Sequence, residues 1–179
     1  MAFDIHWLGP TTMHRVGRDG FNALNLRDLG IQDGDTVIFV FGEIDVRCHI
    51  GKQRDLQKVP LASILQPLAD NYLKTVLNNK QNYNYITCVI ANVVPPMNGD
   101  FSKEYPSYGS ISDRILITQQ LNSLLKTNCS QHGIKFLDFY QFYATQAGDL
   151  DKTLSDGNVH INLAYNYCIK QQLAKVLVN

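Results

Sequence analysis

The chain predicts an α/β fold built on a parallel sheet, and three observations predict it. Two apolar, β-rich runs, residues 36–41 (Thr36-Val37-Ile38-Phe39-Val40-Phe41) and 85–94 (Tyr85 to Val94), carry no polar alternation. Such runs suit strands buried on both faces. Segments of helical spacing follow each of them, and elements that alternate in this way give parallel strands with helices on both faces.

Each element can be justified in order. Residues 2–8 alternate through Phe3, Ile5 and Trp7 and predict a first strand, closed by Gly9-Pro10-Thr11-Thr12. His6 falls inside that strand and is expected to be a satisfied structural histidine. Residues 13–29 predict a loop with one helical turn. Asp33-Gly34-Asp35 predicts a turn before the 36–41 strand, which Gly42 ends. Leu61, Ile64, Leu65, Leu68, Leu73, Val76 and Leu77 recur at helical spacing, and a polar loop follows at 78–82. Pro95-Pro96 closes the 85–94 strand, and 97–110 is a loop long enough to bind a ligand. A second amphipathic helix spans 111–129, with His132-Gly133 at its end. Residues 134–139 predict a third buried strand, and 162–178 the last helix. No repeat, low-complexity tract or linker interrupts the chain, so residues 1–179 are expected to form one domain.

Composition narrows the function. Sixteen basic and sixteen acidic residues balance to zero net charge, which gives no reason to expect a nucleic-acid or anionic-membrane surface. No basic region followed by a long apolar run opens the chain, so neither a signal peptide nor a membrane span is expected, and a cytoplasmic setting is. Cys48, Cys88, Cys129 and Cys168 are scattered without a CxxC pair, which argues against disulfides or a metal site and for a reducing compartment.

In a sheet of this kind ligands bind beyond the carboxyl ends of the strands. That rule gathers residues 9–13, 42–49, 95–110 and 156–160 around one site. Ser155-Asp156-Gly157-Asn158-Val159-His160-Ile161-Asn162 places an acid and a histidine in a turn before the last helix. A carboxylate that holds an imidazole in one tautomer makes it a general base. Glu43, Asp45, Arg47 and His49 follow the 36–41 strand directly and share one side if the chain stays extended. Ionisable groups at the end of a buried strand point to chemistry. His14, Arg15 and Arg18 add a small basic group beside Thr11 and Thr12, whose hydroxyls are expected either to cap the following helical turn or to act as nucleophiles.

The ordered set of blocks resembles the SGNH/GDSL hydrolase superfamily. That family ends on an Asp-x-x-His turn, often continuing His-x-Asn-x-x-Gly-Tyr; His160, Asn162 and Tyr165 fit, with Ala164 in place of Gly. Its Gly-x-Asn-Asp block is matched by Gly42 and Asp45, but Ile44 replaces the Asn that donates to the oxyanion, a donor worth about 3 kcal/mol. Its Gly-Asp-Ser block becomes Gly9-Pro10-Thr11. Asp156 stands one residue earlier than strict Asp-x-x-His spacing asks, so the turn is expected to bulge at Gly157.

The resemblance implies a flavodoxin-like, three-layer α/β/α sandwich with a mostly parallel central sheet. It also implies an esterase or acyl transferase on carbohydrate or other small O-acyl esters. His160 would be the base, Asp156 its orienter, and Thr11, Thr12 or water the attacking group. Gly9, His14, Arg15, Gly42, Glu43, Arg47, His49 and Asn158 would surround the substrate, with Asp45 structural and Arg47 and His49 facing the cleft. No metal or cofactor is implied, and the expected partner is the small-molecule or carbohydrate substrate alone. Without the family's Ser and Asn, two other readings stand: a non-catalytic sugar- or anion-binding protein, and a transferase or hydrolase directed at phosphate.

Overall fold

The computed structural model describes residues 3–99 and 103–178. Three parallel strands, β1 (Thr36–Phe39), β2 (Thr87–Ala91) and β3 (Lys135–Leu137), form one sheet in that order. Thr36 pairs with Thr87 and Phe39 with Ile90, while Val89 pairs with Lys135 and Ala91 with Leu137. Successive strand residues face opposite sides. Val37, Phe39, Cys88, Ile90 and Phe136 enter the larger apolar cluster, whereas Ile38, Val89, Ala91 and Leu137 enter the smaller one.

Helices cover the two faces unequally. α1 (Met13–Asp19), α3 (Leu61–Lys80) and α4 (Ile111–Gln131) contribute to the larger cluster; α5 (Tyr167–Val178) contributes to the smaller. α3 buries Leu65, Leu68, Leu73 and Val76 of the predicted stripe, together with Ala69 and Tyr72, while Leu61, Ile64 and Leu77 are half-buried. α4 starts at a capping box in which Ser110 and Asp113 satisfy each other's backbone amides. α1 packs tightly on α3 because Gly17 has no side chain: a Cβ there would lie 2.9 Å from Asn71 Cβ and from the Tyr72 nitrogen. The helices on both faces of a parallel sheet are the predicted class.

Several expectations change. Residues 3–8 pair with no strand, and Phe3, Ile5 and Trp7 lie exposed, as does His6, which is therefore not a core histidine; Ala2 lies outside the described residues. Among the described residues β1 consequently has a strand neighbour on one side only. It is an edge strand, with Thr36 and Val40 exposed, and not a central one. The 78–82 loop begins late because α3 runs on to Lys80, where the Asn79 side chain is buried against the backbone of Leu24 and Leu26. The final helix opens with a separate tight turn, Leu163–Tyr165, capped by Asn162.

The largest departure follows β1. Residues 43–57 are helical: a wide π-helical turn, Asp45–Ile50, runs directly into α2 (Gly51–Gln57). The strand-like alternation expected of Glu43, Asp45, Arg47 and His49 does not apply to a helix. Asp45 and Arg47 are buried, Glu43 half-buried and His49 exposed. Among the described residues no helix is long and apolar enough to cross a membrane.

Candidate active site

Gly42 closes β1 with φ +110°, a conformation that favours glycine. A Cβ at this position would fall 2.6 Å from Val93 Cγ2 and 3.0 Å from Met13 Cε. The chain after β1, the chain after β2 and the start of α1 therefore meet at one point. Replacing Gly42 by Ala is expected to cost about 2–3 kcal/mol, from overpacking and from the positive φ. A shift of the urea midpoint without a change in slope would measure it.

One turn later, Asp45 ties the strand end to α1. Its carboxylate accepts from the backbone amides of Met13 (2.7 Å) and His14 (3.0 Å), while Thr12 Oγ1 accepts from the Arg15 amide (3.0 Å). Three amides at the helix start are satisfied in this way. Burial pushes the Asp45 carboxyl up; the His14 and Met13 amides and the nearby His49 and His14 side chains oppose it without cancelling it. Thr12 is thus the helix cap, the simpler of its two expected roles. Thr11 donates its hydroxyl to the Leu8 carbonyl at 2.7 Å.

Arg47 leans back along its own helix onto Glu43 in a two-point ion pair (Nε–Oε1 2.6 Å, Nη2–Oε2 3.0 Å). Its guanidinium also donates to the Tyr105 carbonyl, and its own carbonyl accepts from the Tyr108 amide at 2.8 Å. Tyr108 in turn reaches Asp55 through its hydroxyl (3.1 Å) and lies against Gly51. Arg47 therefore fastens the 103–110 segment to the π turn. Glu43, Arg47, Val94, Met97 and Arg114 line a small pocket with room for about one water molecule, about 10 Å³. Arg114 was not anticipated. A cation at position 114, one turn before Ile117 and Thr118 on the buried face of α4, is the signal that marks it. Arg15 instead lies on the outside of α1, with Asp19 at 3.6 Å.

The last block folds as a small hairpin in which Ser155 bridges Ile161. Gly157 takes φ +88° within that turn, a conformation that favours glycine. Asp156 Oδ2 lies 3.1 Å from His160 Nδ1, and Asp156 Oδ1 accepts from the Asn158 amide at 2.9 Å. Partial burial raises the Asp156 carboxyl, but the Asn158 amide and the His160 ring outweigh it and hold the carboxyl below its ordinary value. Asn158 also caps itself locally, its side chain accepting from the Val159 amide. His160 and Asp156 are exposed, whereas Val159 is buried.

Two groups of predicted residues emerge. Gly9, Thr11, Thr12, His14, Gly42, Glu43, Asp45 and Arg47 cluster around the start of α1 and the end of β1. Asp156, Asn158 and His160 form the other group. Val94 and Met97 line the Glu43–Arg47 pocket and also share an apolar cluster with Val159 and Ile161, so the segment after β2 joins the two groups. Among the described residues neither threonine hydroxyl bonds to His160. The segment itself is held by the Asn122 side chain, which bonds both the amide and the carbonyl of Val93, and by Asn92, which accepts from the Phe139 amide. Among the described residues no group of three His, Cys, Asp or Glu side chains is placed to hold a metal.

No family model matches this sequence, and no curated protein matches it. Solved structures do. A protein from Bacteroides fragilis described as a "putative acylhydrolase" aligns with a TM-score of 0.64 at 15% identity, covering 95% of this chain and 71% of its own. A protein from Streptococcus pneumonia described as a "putative platelet activating factor" aligns with a TM-score of 0.63 at 16% identity, covering 94% of this chain and 69% of its own. At these identities the likeness is one of fold. The chain shares the α/β fold of these two structures.

Proposed function

We propose that this protein is an esterase or acyl transferase acting on carbohydrate or other small O-acyl esters, with His160 as general base. The observation that carries the reading is the 3.1 Å contact between Asp156 Oδ2 and His160 Nδ1. A carboxylate that accepts from Nδ1–H leaves the lone pair of Nε2 outward, on an exposed ring, where a substrate can reach it. The fold of hydrolase-like neighbours supports the reaction class. No metal or cofactor takes part in this scheme.

Water is the favoured attacking group. The Thr11 hydroxyl already donates its proton to Leu8, and the Thr12 oxygen already caps Arg15, so both side chains are committed to the start of α1. Changing Thr11 and Thr12 together to Ala is therefore expected to leave most of the turnover of an activated acetyl ester intact, with some loss of thermal stability from the missing cap. Steady-state hydrolysis beside a His160→Ala control measures this, and a double variant as inactive as the control would assign the attack to a threonine instead.

The same two occupied hydroxyls favour one second reading, a protein that binds a sugar or an anion without turning it over. Wild type would then show no hydrolysis above the His160→Ala control, while a ligand would still raise Tm by mass action.

A further inference from the structure

We infer that Arg114 is a positioning residue of the candidate site: its guanidinium bonds both ends of the loop after β2 and so fixes the apolar shelf beside His160. The inference rests on the hydrolysis proposed above. Nη2 of Arg114 donates to the Met97 carbonyl at 3.3 Å, and Nη1 donates to the Gly109 carbonyl at 3.4 Å. Met97 stands just beyond β2, and Gly109 stands just before the Ser110 cap of α4. One side chain thus closes the loop at its base.

The residue type suits that task. Arg114 is 4% exposed, and a cation is seldom buried so deeply unless its donors are used. A planar guanidinium presents its donors in a fixed fork that can span two carbonyls at once. A lysine ammonium is a point charge on a flexible stem. The helix that carries Arg114 is itself held here, because the Thr118 hydroxyl donates to the Arg114 carbonyl at 2.7 Å.

What Arg114 fixes reaches both halves of the site. Val94 and Met97 line the pocket with Glu43 and Arg47, and they share the apolar cluster of Val159 and Ile161, the two neighbours of His160. Asn122 holds this shelf at Val93, and the Leu150 amide holds it at the Pro96 carbonyl (3.0 Å). Arg114 holds it at Met97. Arg47 grips the later part of the same loop through the Tyr105 carbonyl and the Tyr108 amide. A substrate seated between the shelf and the exposed His160 ring takes its distance from the base from both. A misplacement of about 1 Å in such a geometry costs on the order of a hundredfold in rate.

Steady-state hydrolysis of an activated acetyl ester by the whole protein tests the inference. At a temperature where circular dichroism shows the variant folded, Arg114→Ala is expected to lower kcat about a hundredfold and to change KM far less, because the buried guanidinium does not bind substrate itself. Arg114→Lys is expected to fall between wild type and Arg114→Ala. Added guanidinium ion is expected to restore part of the kcat of Arg114→Ala and none of that of His160→Ala. Wild-type kcat in folded Arg114→Ala, or in Arg114→Lys where the alanine variant does not fold, would overturn the inference. So would a loss that neither lysine nor guanidinium relieves. Failure of both variants to fold would overturn it too, since Arg114 would then support the fold and not the site. Wild type no faster than His160→Ala would instead sink the proposed hydrolysis, and this inference with it.

Discussion

Replacing His160 by Ala is expected to lower turnover of an activated acetyl ester by about a thousandfold and to leave Tm nearly unchanged. General-base catalysis by a positioned side chain contributes on the order of 10²–10⁴ in rate. The ring is exposed and, among the described residues, bonds to Asp156 alone, so its loss removes little packing. Asp156→Asn is expected to cost part of the same factor, because an amide holds the ring less firmly and in no fixed tautomer. The double variant should be no worse than His160→Ala alone, since residues that act as a unit lose activity non-additively. Losses that multiply would mean that the two side chains work separately. Measuring kcat/KM and Tm for all four proteins decides the matter.

Replacing Asp45 by Ala is expected to destabilise the fold by about 3 kcal/mol, since it strands two amides at the start of α1 that are bonded at 2.7 and 3.0 Å. In a domain of this size that lowers Tm by roughly 10 °C. The pH dependence has a definite sign. Burial raises the Asp45 carboxyl in the folded chain. Its contribution to stability is therefore complete below the unfolded carboxylate range and declines as pH rises through the folded pKa. The gap between wild type and Asp45→Ala should be widest in acid and narrow towards neutrality, as urea titrations across that range would show. Full stability of the variant would remove Asp45 from the fastening of α1 to β1.

Much of this architecture is written locally. The stripe from Leu65 to Val76 needs only a 3.6-residue period, and Ser110 with Asp113 needs only four residues to cap α4. The Asp156–His160 contact is equally local: four residues and one glycine that accepts a positive φ determine it. Asp45 as a structural carboxylate followed from its place in the Gly42–Asp45 block, and its two amide bonds bear that out.

Other features escaped local reading. The run of ionisable residues from Glu43 to His49 contains no helix signal, and its alternation suits a strand equally well. The π turn there is held by bonds from Asp45 to α1 and from Arg47 to residues 105 and 108, all distant in sequence. Arg114 is turned by α4 towards the Met97 carbonyl, a partner distant in sequence. The alternation of Phe3, Ile5 and Trp7 suits a strand, yet residues 3–8 pair with none, because pairing depends on contacts with distant elements that local alternation does not record.

The class of fold, the helix stripes, the caps and the acid–histidine turn could be read from local sequence, because each depends on residues within a few positions of one another. Long-range packing set the rest: β1 is an edge, Arg47 clasps Glu43 and the 103–110 segment, and both threonine hydroxyls are engaged at the start of α1. Those outcomes turn on bonds between groups brought together by the packing of separate elements, and no local pattern records which of several competing partners a buried polar group will take.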